Sequence, residues 1–393
     1  MAGTQWRNGW LACSVVLLAS ACAERSSEAG AVPGATREPA PLLEGQLDIL
    51  AWPGYVERGA RDPAYDWVSA FEKSTGCTVN AKTVGSADEM AMAMARGGVD
   101  VATASGDVSL RLIAGGHVQP IDVSRIQGYA ALHPRLRDAA WHTVDGVHYG
   151  VPFQWAPNVL MYDSVAIKSV PDSWSVVFEE QQLDDGKSNR GRVQAHDNPI
   201  RIADAALFAA TKRPGLGIRD PYALNEAQYA AALEVLRKQR PLVHRYWHDA
   251  EAQIDDFRDS GVVASDSSPY QVNSLRGAGQ SVTSVLPAGN GTGWADSMML
   301  HRDARHPNCA YRWMQWSLTP KVQGDVAAWY GSVPVVAAAC RGNRLLGENG
   351  CRDNGAGFFD RIHFWRMPQA RCGKAACVPF SRWTRDYMKI MGE

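Results

Sequence analysis

The stretch from Gln46 to Ala114 most constrains the fold, because strand-like and helix-like patterns alternate along it. Short apolar runs begin at Gln46, Cys77 and Val99, and the apolar residues that follow each run have helical spacing. This β-α-β-α alternation is typical of a parallel sheet covered by helices. The sequence therefore predicts an α/β fold.

Two of the predicted strands end in turns that carry aromatic and polar side chains. The run "LDILA" leads into Trp52-Pro53-Gly54-Tyr55, and "VDVATA" leads into Ser105-Gly106-Asp107. In open α/β sheets, ligands bind beyond the carboxyl ends of the strands. We therefore predict that both turns belong to a binding site.

The N-terminus predicts export. Residues 1–22 combine a basic Arg7, an apolar stretch and the small residues Ala19-Ser20-Ala21, which is the pattern of a secretory signal peptide. Cys22 follows directly, so the stretch also resembles a lipoprotein box in which Cys22 would become the lipidated N-terminus. Residues 23–44 are rich in Ala, Pro, Ser and Glu and are predicted to form a disordered tether.

Export makes disulfides the default for the other cysteines. After Cys13 and Cys22, an even set remains: Cys77, Cys309, Cys340, Cys351, Cys372 and Cys377. Cys340–Cys351 and Cys372–Cys377 would each close a short loop and leave Cys77 for Cys309, although six cysteines allow about 15 pairings. A zinc site built from the last four is the alternative, but their spacing lacks CxxC pairs.

Several classes of function are disfavoured by the sequence. A formal net charge of −1 provides no basic surplus for nucleic acid. The "DDGKS" stretch has Gln181 where a P-loop needs its first glycine, and no nucleophile elbow surrounds a Ser or Cys. His244 and His248 would share a helix face, as two metal ligands do, but no third ligand accompanies them. We predict a binding protein without catalytic residues, metal or cofactor.

A small-ligand cleft needs apolar walls and a few convergent polar groups. Residues of these types recur at the predicted strand ends and lobe crossings. The candidate ligand-binding residues are Trp52, Tyr55, Ser105, Asp107, Trp155, Asn158, Tyr270, Trp294, Asp296 and Ser332.

The segments "LDILAWPGYVERG", "DWVSAFEKSTGCTVNAKT", "VPFQWAPNVLMYD" and "LTPKVQGDVAAWYGSVPV" resemble, in this order, a known family. It is the polyamine type of periplasmic solute-binding protein that serves ABC importers, and the YdcS-type subfamily resembles this sequence most. The resemblance implies a small organic solute, a permease in the inner membrane and a monomer as the working form. The subfamily is also described as a polyhydroxybutyrate synthase, which is the alternative function.

The resemblance further implies a type II periplasmic binding protein, in which two hinged α/β lobes surround a central cleft. We expect residues 45–153 and 294–393 to form lobe 1 with a C-terminal tail, and residues 154–293 to form lobe 2. The tail after Cys340 is rich in loops and is expected to wrap the surface.

Matching the residues one by one implies their roles. Trp52 and Tyr55 match aromatic residues of the family that enclose the polyamine chain. Ser105 or Asp107 matches the serine in the loop after the third strand. Trp155 matches a tryptophan at a crossing between the lobes. Trp294 and Asp296 match an aromatic-x-Asp element whose carboxylate holds an ammonium group.

This sequence also departs from the family pattern at its acidic positions. The family has acidic residues at three positions where this sequence has Gly54, Ile200 or Arg201, and Tyr270. A long polyamine needs negative charge at both ends, so we expect a smaller amine, a zwitterion or another compact organic solute. Arg201 would pair a ligand carboxylate if it faced the cleft. The synthase alternative lacks an activated nucleophile.

Overall fold

The computed structural model describes residues 42–372 and 375–392. The predicted signal peptide, Cys22 and tether residues 23–41 lie outside the described residues. Glu44 accepts hydrogen bonds from the backbone N–H groups of Asn308 and Cys309 at 3.0 and 2.9 Å, so the last predicted tether residues are bound to the protein. Within the described ranges, no helix is long and apolar enough to cross a membrane.

The described chain alternates strands and helices. The strands are β1 (Gln46–Ala51), β2 (Thr78–Thr83), β3 (Val101–Ser105), β4 (Thr143–Val144), β5 (Val147–His148), β6 (Gly150–Pro157), β7 (Val159–Asp163), β8 (Val193–His196), β9 (Val243–Trp247), β10 (Ala264–Ser267), β11 (Val282–Val285), β12 (Gly291–Leu300), β13 (Val333–Pro334), β14 (Ile362–Phe364), β15 (Arg371–Cys372) and β16 (Ala375–Ala376). The α-helices are α1 (Val68–Thr75), α2 (Ala87–Arg96), α3 (Gly106–Ala114), α4 (Pro134–Arg137), α5 (Ser175–Phe178), α6 (Ile202–Lys212), α7 (Glu226–Gln239), α8 (Ala250–Asp259), α9 (Pro269–Gly277), α10 (Pro307–Ser317), α11 (Pro320–Tyr330), α12 (Gly350–Asp353) and α13 (Phe380–Gly392).

Two sheets organise the chain. The first has the order β13-β6-β12-β3-β1-β2, with β14 beside β12, and the second has the order β11-β7-β10-β8-β9. As the alternation predicts, β1 pairs in parallel with both β2 and β3. One continuous apolar core contains side chains of both sheets, such as Leu47 from β1 and Leu160 from β7.

The chain passes between the sheets at identifiable points. It leaves the first sheet between β6 and β7 at Asn158, and it returns between β11 and β12. The last helix, α13, packs against α7 beside the second sheet, although the predicted division places residues 294–393 with lobe 1. The Tyr229 hydroxyl on α7 donates to the Arg382 carbonyl at 3.1 Å and fastens this contact.

Two helix starts show how local chemistry sets boundaries. The spacing of apolar residues predicts a helix from Ala64, but α1 begins at Val68, and the Asp66 carboxylate accepts from the Ser69 N–H in its first turn. Ser86 and Glu89, three residues apart, predict a capping box in which Glu89 accepts from the Ser86 N–H. Ser86 does cap α2, because it accepts from the Glu89 N–H at 3.2 Å. The Glu89 carboxylate accepts from the Gly85 N–H, one residue before the predicted partner.

The predicted helix around His244 is wrong. Val243–Trp247 is strand β9, which pairs in parallel with β8, and His248 lies beyond its end. The two histidines therefore share no helix face. Pairing with a neighbouring strand determines this segment, and that neighbour is remote in sequence.

The predicted disulfide pairing is confirmed. Cys77–Cys309, Cys340–Cys351 and Cys372–Cys377 are all bonded, with Cα–Cα distances of 6.0, 5.7 and 5.3 Å. The alternative zinc site is therefore wrong, because a disulfide sulfur offers no thiolate.

The loop-rich composition of the tail predicts that it wraps the surface, but part of the tail is built into the protein interior. Residues 362–364 enter the first sheet as β14, and the Phe364 and Trp365 side chains are buried. Apolar aromatic side chains gain free energy by leaving water, and this gain holds the segment inside the protein.

Candidate functional site

The turn after β1 brings two aromatic side chains to the sheet edge. Gly54 has a φ of 91°, and the Tyr55 N–H donates to the Trp52 carbonyl at 3.2 Å. A Cβ on Gly54 would lie 3.2 Å from atoms of both Trp329 and Tyr330 on α11. Both the left-handed backbone and this close packing favour glycine, which explains why no acid stands here.

A buried carboxylate lies beside this turn. The Tyr55 hydroxyl donates to Asp296 Oδ2 at 2.8 Å, and both residues are at most 3 % exposed. Asp296 lies on β12 opposite Ser105 of β3, so the first sheet itself brings the two predicted turns together. Burial raises the pKa of Asp296 to about 7, and the negative charge of Asp107 adds to this effect. Hydrogen bonds from Tyr55 and Trp52 oppose the rise.

A second carboxylate links the two sheet regions. Ser105 donates through Oγ to Asp107 Oδ1 at 2.5 Å, at the start of α3. Asn198, which follows β8 of the second sheet, donates through Nδ2 to Asp107 Oδ2 at 3.2 Å. The sequence prediction missed Asn198, although its place two residues after the end of a strand was an available signal.

Tyr330 is the centre of an aromatic cluster, and the sequence prediction missed it. Its ring lies 4.4 Å from Tyr55, 5.7 Å from Trp294 and 6.1 Å from Tyr270, measured between centroids. Gly331 permits this meeting, because a Cβ there would lie 2.7 Å from the Tyr270 backbone nitrogen. The cluster and Asp296 together form an apolar wall with a single acidic group.

Not every predicted site residue joins this cluster. Trp155 packs against Phe359 and Phe364 of the tail, with centroid distances of 5.1 and 5.6 Å. Ser332 is fully buried and donates through Oγ to the Gln154 side-chain oxygen at 2.8 Å. These two side chains therefore make contacts with the tail and with strand β6 of the first sheet.

Asn158 and Arg201 meet on the side of the second sheet. With the Asn158 amide oxygen turned towards them, Arg201 Nη1 and Trp365 Nε1 both donate to it at 3.0 Å. Arg201 also pairs with Asp204 at 3.1 Å and with Asp266. Its guanidinium is thus engaged by carboxylates of its own chain, which corrects the expectation that it would hold a ligand carboxylate.

The site contains more buried acidic groups than basic ones. It contains four buried carboxylates, Asp107, Asp204, Asp266 and Asp296, against one buried guanidinium. Arg201 is the only buried arginine or lysine among the residues that the structure describes. Burying unpaired charge is costly, so this arrangement favours a cation between the sheets.

The raised pKa of Asp296 predicts that the ligand-free protein loses stability as pH rises from about 4 to about 7. Over this range the unfolded carboxyl ionises near its ordinary pKa of 3.8, whereas the folded one keeps its proton until about 7. The loss attributable to this group is on the order of 4 kcal/mol. Urea unfolding of the wild type and of Asp296→Asn at about pH 4 and about pH 8 measures it. An equal stability difference between the two proteins at both pH values would contradict this prediction.

Comparison with protein families gives one match that covers most of the chain. The family model described as bacterial extracellular solute-binding protein matches residues 66–342. This match extends from the start of α1 into the tail and includes the candidate residues from Ser105 to Ser332.

Two relatives are binding proteins for amines by name. The putrescine/agmatine-binding protein of Pseudomonas aeruginosa is 26% identical over 286 residues, which are 68% of this chain and 75% of the relative. The putrescine-binding periplasmic protein PotF of Escherichia coli is 25% identical over 319 residues, which are 76% and 81% of the two chains.

A solved structure confirms the predicted two-lobed α/β fold. It is the spermidine/putrescine ABC transporter substrate-binding protein PotD of Streptococcus pneumoniae, with a TM-score of 0.67 at 16% identity. The alignment covers 88% of this chain and 97% of that one. These relatives bind solutes and are not enzymes by name, so the expectation of a binding protein is confirmed and the synthase alternative finds no support.

Proposed function

This chain belongs to the family of bacterial extracellular solute-binding proteins, and from that premise we propose that it binds a short organic diamine between its two lobes. The observation that carries the proposal is the buried Asp296 carboxylate, which accepts from Tyr55 inside an aromatic cluster. An ammonium group placed there gains charge-assisted hydrogen bonds from the carboxylate and cation–π attraction from the rings.

The charge balance favours an amine over a zwitterion. A zwitterion brings a carboxylate that needs its own cation, and the one buried guanidinium is already engaged by Asp204 and Asp266. A second ammonium would lie near Asp107, which Ser105 and Asn198 orient from the two sheet regions. The names of the two putrescine-binding relatives support the same ligand class.

The fold supports a delivery role. In our proposal, a ligand that contacts both lobes stabilises a closed form, and the permease of an ABC importer recognises that form. Asn198 and Asp107 form one contact across the lobes of the kind that such closure would need. We further propose that the protein works as a monomer outside the cytoplasm, after export by residues 1–22 and with lipidation at Cys22 as an additional tether.

Calorimetry and thermal unfolding test the ligand class. We expect putrescine, cadaverine and agmatine to stabilise the protein, by about 2.7 kcal/mol at a hundredfold excess over Kd. Butylamine, which has the same chain as putrescine but one ammonium group, should bind much more weakly. Glutamate and 3-hydroxybutyrate serve as controls of similar size. Stabilisation by these acids, with none by any diamine, would contradict the proposal.

A further inference from the structure

The C-terminal tail runs between the two lobes. Its strand β14 pairs in parallel with Gly291–Gly293, at the point where the chain returns to the first sheet. Directly after β14, the Trp365 N–H donates to the Gly293 carbonyl at 2.7 Å. The tail therefore lies along a crossing strand and forms part of the inter-lobe region.

Both sides of the cleft hold this segment. From the first lobe, the Arg135 guanidinium donates to the carbonyls of Phe359 and Ile362. From the second, the Tyr222 hydroxyl donates to the His363 carbonyl at 3.3 Å. Arg366 forms a further ion pair with Asp220 of the second lobe. These contacts hold residues 359–366, called the strut below, in place between the lobes.

Two disulfides bracket the strut. Cys340–Cys351 lies before it in the chain, and Cys372–Cys377 lies after it. Because each disulfide closes a loop next to the strut, it shortens the free chain on that side of it.

Trp365 lies beside the predicted ammonium position at Asp107. A Cβ on Gly106, the neighbour of Asp107, would overlap the Trp365 carbonyl oxygen. The indole ring lies parallel to His196 at a centroid distance of 5.6 Å and an angle of 9°. Its Nε1 donates to Asn158 at 3.0 Å, so ring and main chain are both fixed.

A groove of about 440 Å³ lies against the strut. His363, Phe364 and Arg366 of the strut line it together with Trp141 and Tyr222. Trp365 is not among the residues that line this groove, although its neighbours on both sides are. The strut therefore separates the Asp107 end of the cleft from this groove.

We propose that Trp365 is a specificity-determining residue that closes the Asp107 end of the cleft and limits the length of the bound amine. The inference rests on the proposed function. A diamine with its ammonium groups near Asp296 and Asp107 ends before the indole ring. A longer triamine needs the space that the ring and the strut occupy. Removal of the ring opens a passage towards the groove.

Titration calorimetry of Trp365→Ala with putrescine and spermidine tests this inference. The wild type is expected to bind putrescine more tightly than spermidine. In Trp365→Ala, the ratio of the two Kd values should shift towards spermidine by about tenfold or more. Trp365→Leu provides the same test if the alanine variant does not fold.

Two control variants separate selectivity from general destabilisation. Trp365→Phe keeps an aromatic wall and should leave the ratio nearly unchanged. Trp316→Ala removes a tryptophan on α10, whose Nε1 donates to the Trp67 carbonyl, and should also leave the ratio unchanged. An unaltered ratio in Trp365→Ala, or an equal change for both amines, would overturn the inference. Failure of the proposed function is distinguishable, because then neither amine would bind the wild type.

Discussion

Replacement of Asp296 by asparagine is expected to weaken putrescine binding by about two to four orders of magnitude. Asparagine keeps the shape of the side chain and can still accept from the Tyr55 hydroxyl, but it removes the negative charge. The ligand ammonium would then be buried without its partner, at a cost of about 3–5 kcal/mol. Titration calorimetry measures the loss.

The pH dependence of binding separates this charge effect from altered packing. Because the pKa of Asp296 is raised to about 7, the wild type must release a proton to bind an amine below that pH. Wild-type affinity should therefore rise by about tenfold per pH unit between about pH 5 and 7 and then level off. The residual affinity of Asp296→Asn should lack this slope. If both proteins show the same slope, another group controls binding.

A second effect on stability is expected at the ion pairs of Arg201, beginning with Asp266. This carboxylate pairs with Arg201 and accepts from the His196 N–H at 3.0 Å. Asp266→Asn leaves a buried guanidinium with only Asp204 as its charged partner. We expect the free energy of unfolding to fall by about 1.5–3 kcal/mol, because the guanidinium keeps Asp204 but loses one charge-assisted hydrogen-bond partner. Urea unfolding at neutral pH measures this loss.

Arg201→Met is the matched variant, and its response to pH should differ. It leaves Asp204 and Asp266 buried without their cation, and these groups become neutral when they are protonated. Its destabilisation should therefore shrink on acidification to about pH 5. That of Asp266→Asn should persist, because arginine does not lose its proton. An equal pH response in both variants would contradict this account of the ion pairs. Amine binding that survives in a folded Arg201→Met would confirm that Arg201 is not needed for the ligand.

Much of the fold was predictable because the information is local. The spacing of apolar residues and the helix-capping residues indicated the strands and helices between Gln46 and Ala114. The predicted strand ends located Trp52 and Tyr55. Tyr330 was not predictable in this way, because it is an ordinary helical residue until Gly331 brings it against Tyr270. The lobe boundaries and the ligand-binding roles of the ten candidate residues remain predictions.

For other residues, the contacts depend on which face of a strand the side chain occupies. The crossing strand β6 alternates its side chains between two faces, so a shift by one residue decides which of them meet a ligand. In the structure, Gln154 bonds to Ser332, and its neighbour Trp155 packs against the tail. The aromatic character of Trp155 was visible in the sequence, but its direction was not.

By itself, the sequence determined the α/β alternation, the positions of the strand ends and the set of six paired cysteines, because periodicity, turn chemistry and composition act over short distances. Only the tertiary structure decided which charges are neutralised and what fills the cleft. Asp266 meets Arg201 from a strand some 65 residues away, and Trp365 reaches the cleft from a tail of loop-like composition. Such meetings depend on burial and strand pairing between remote segments, which no local pattern encodes.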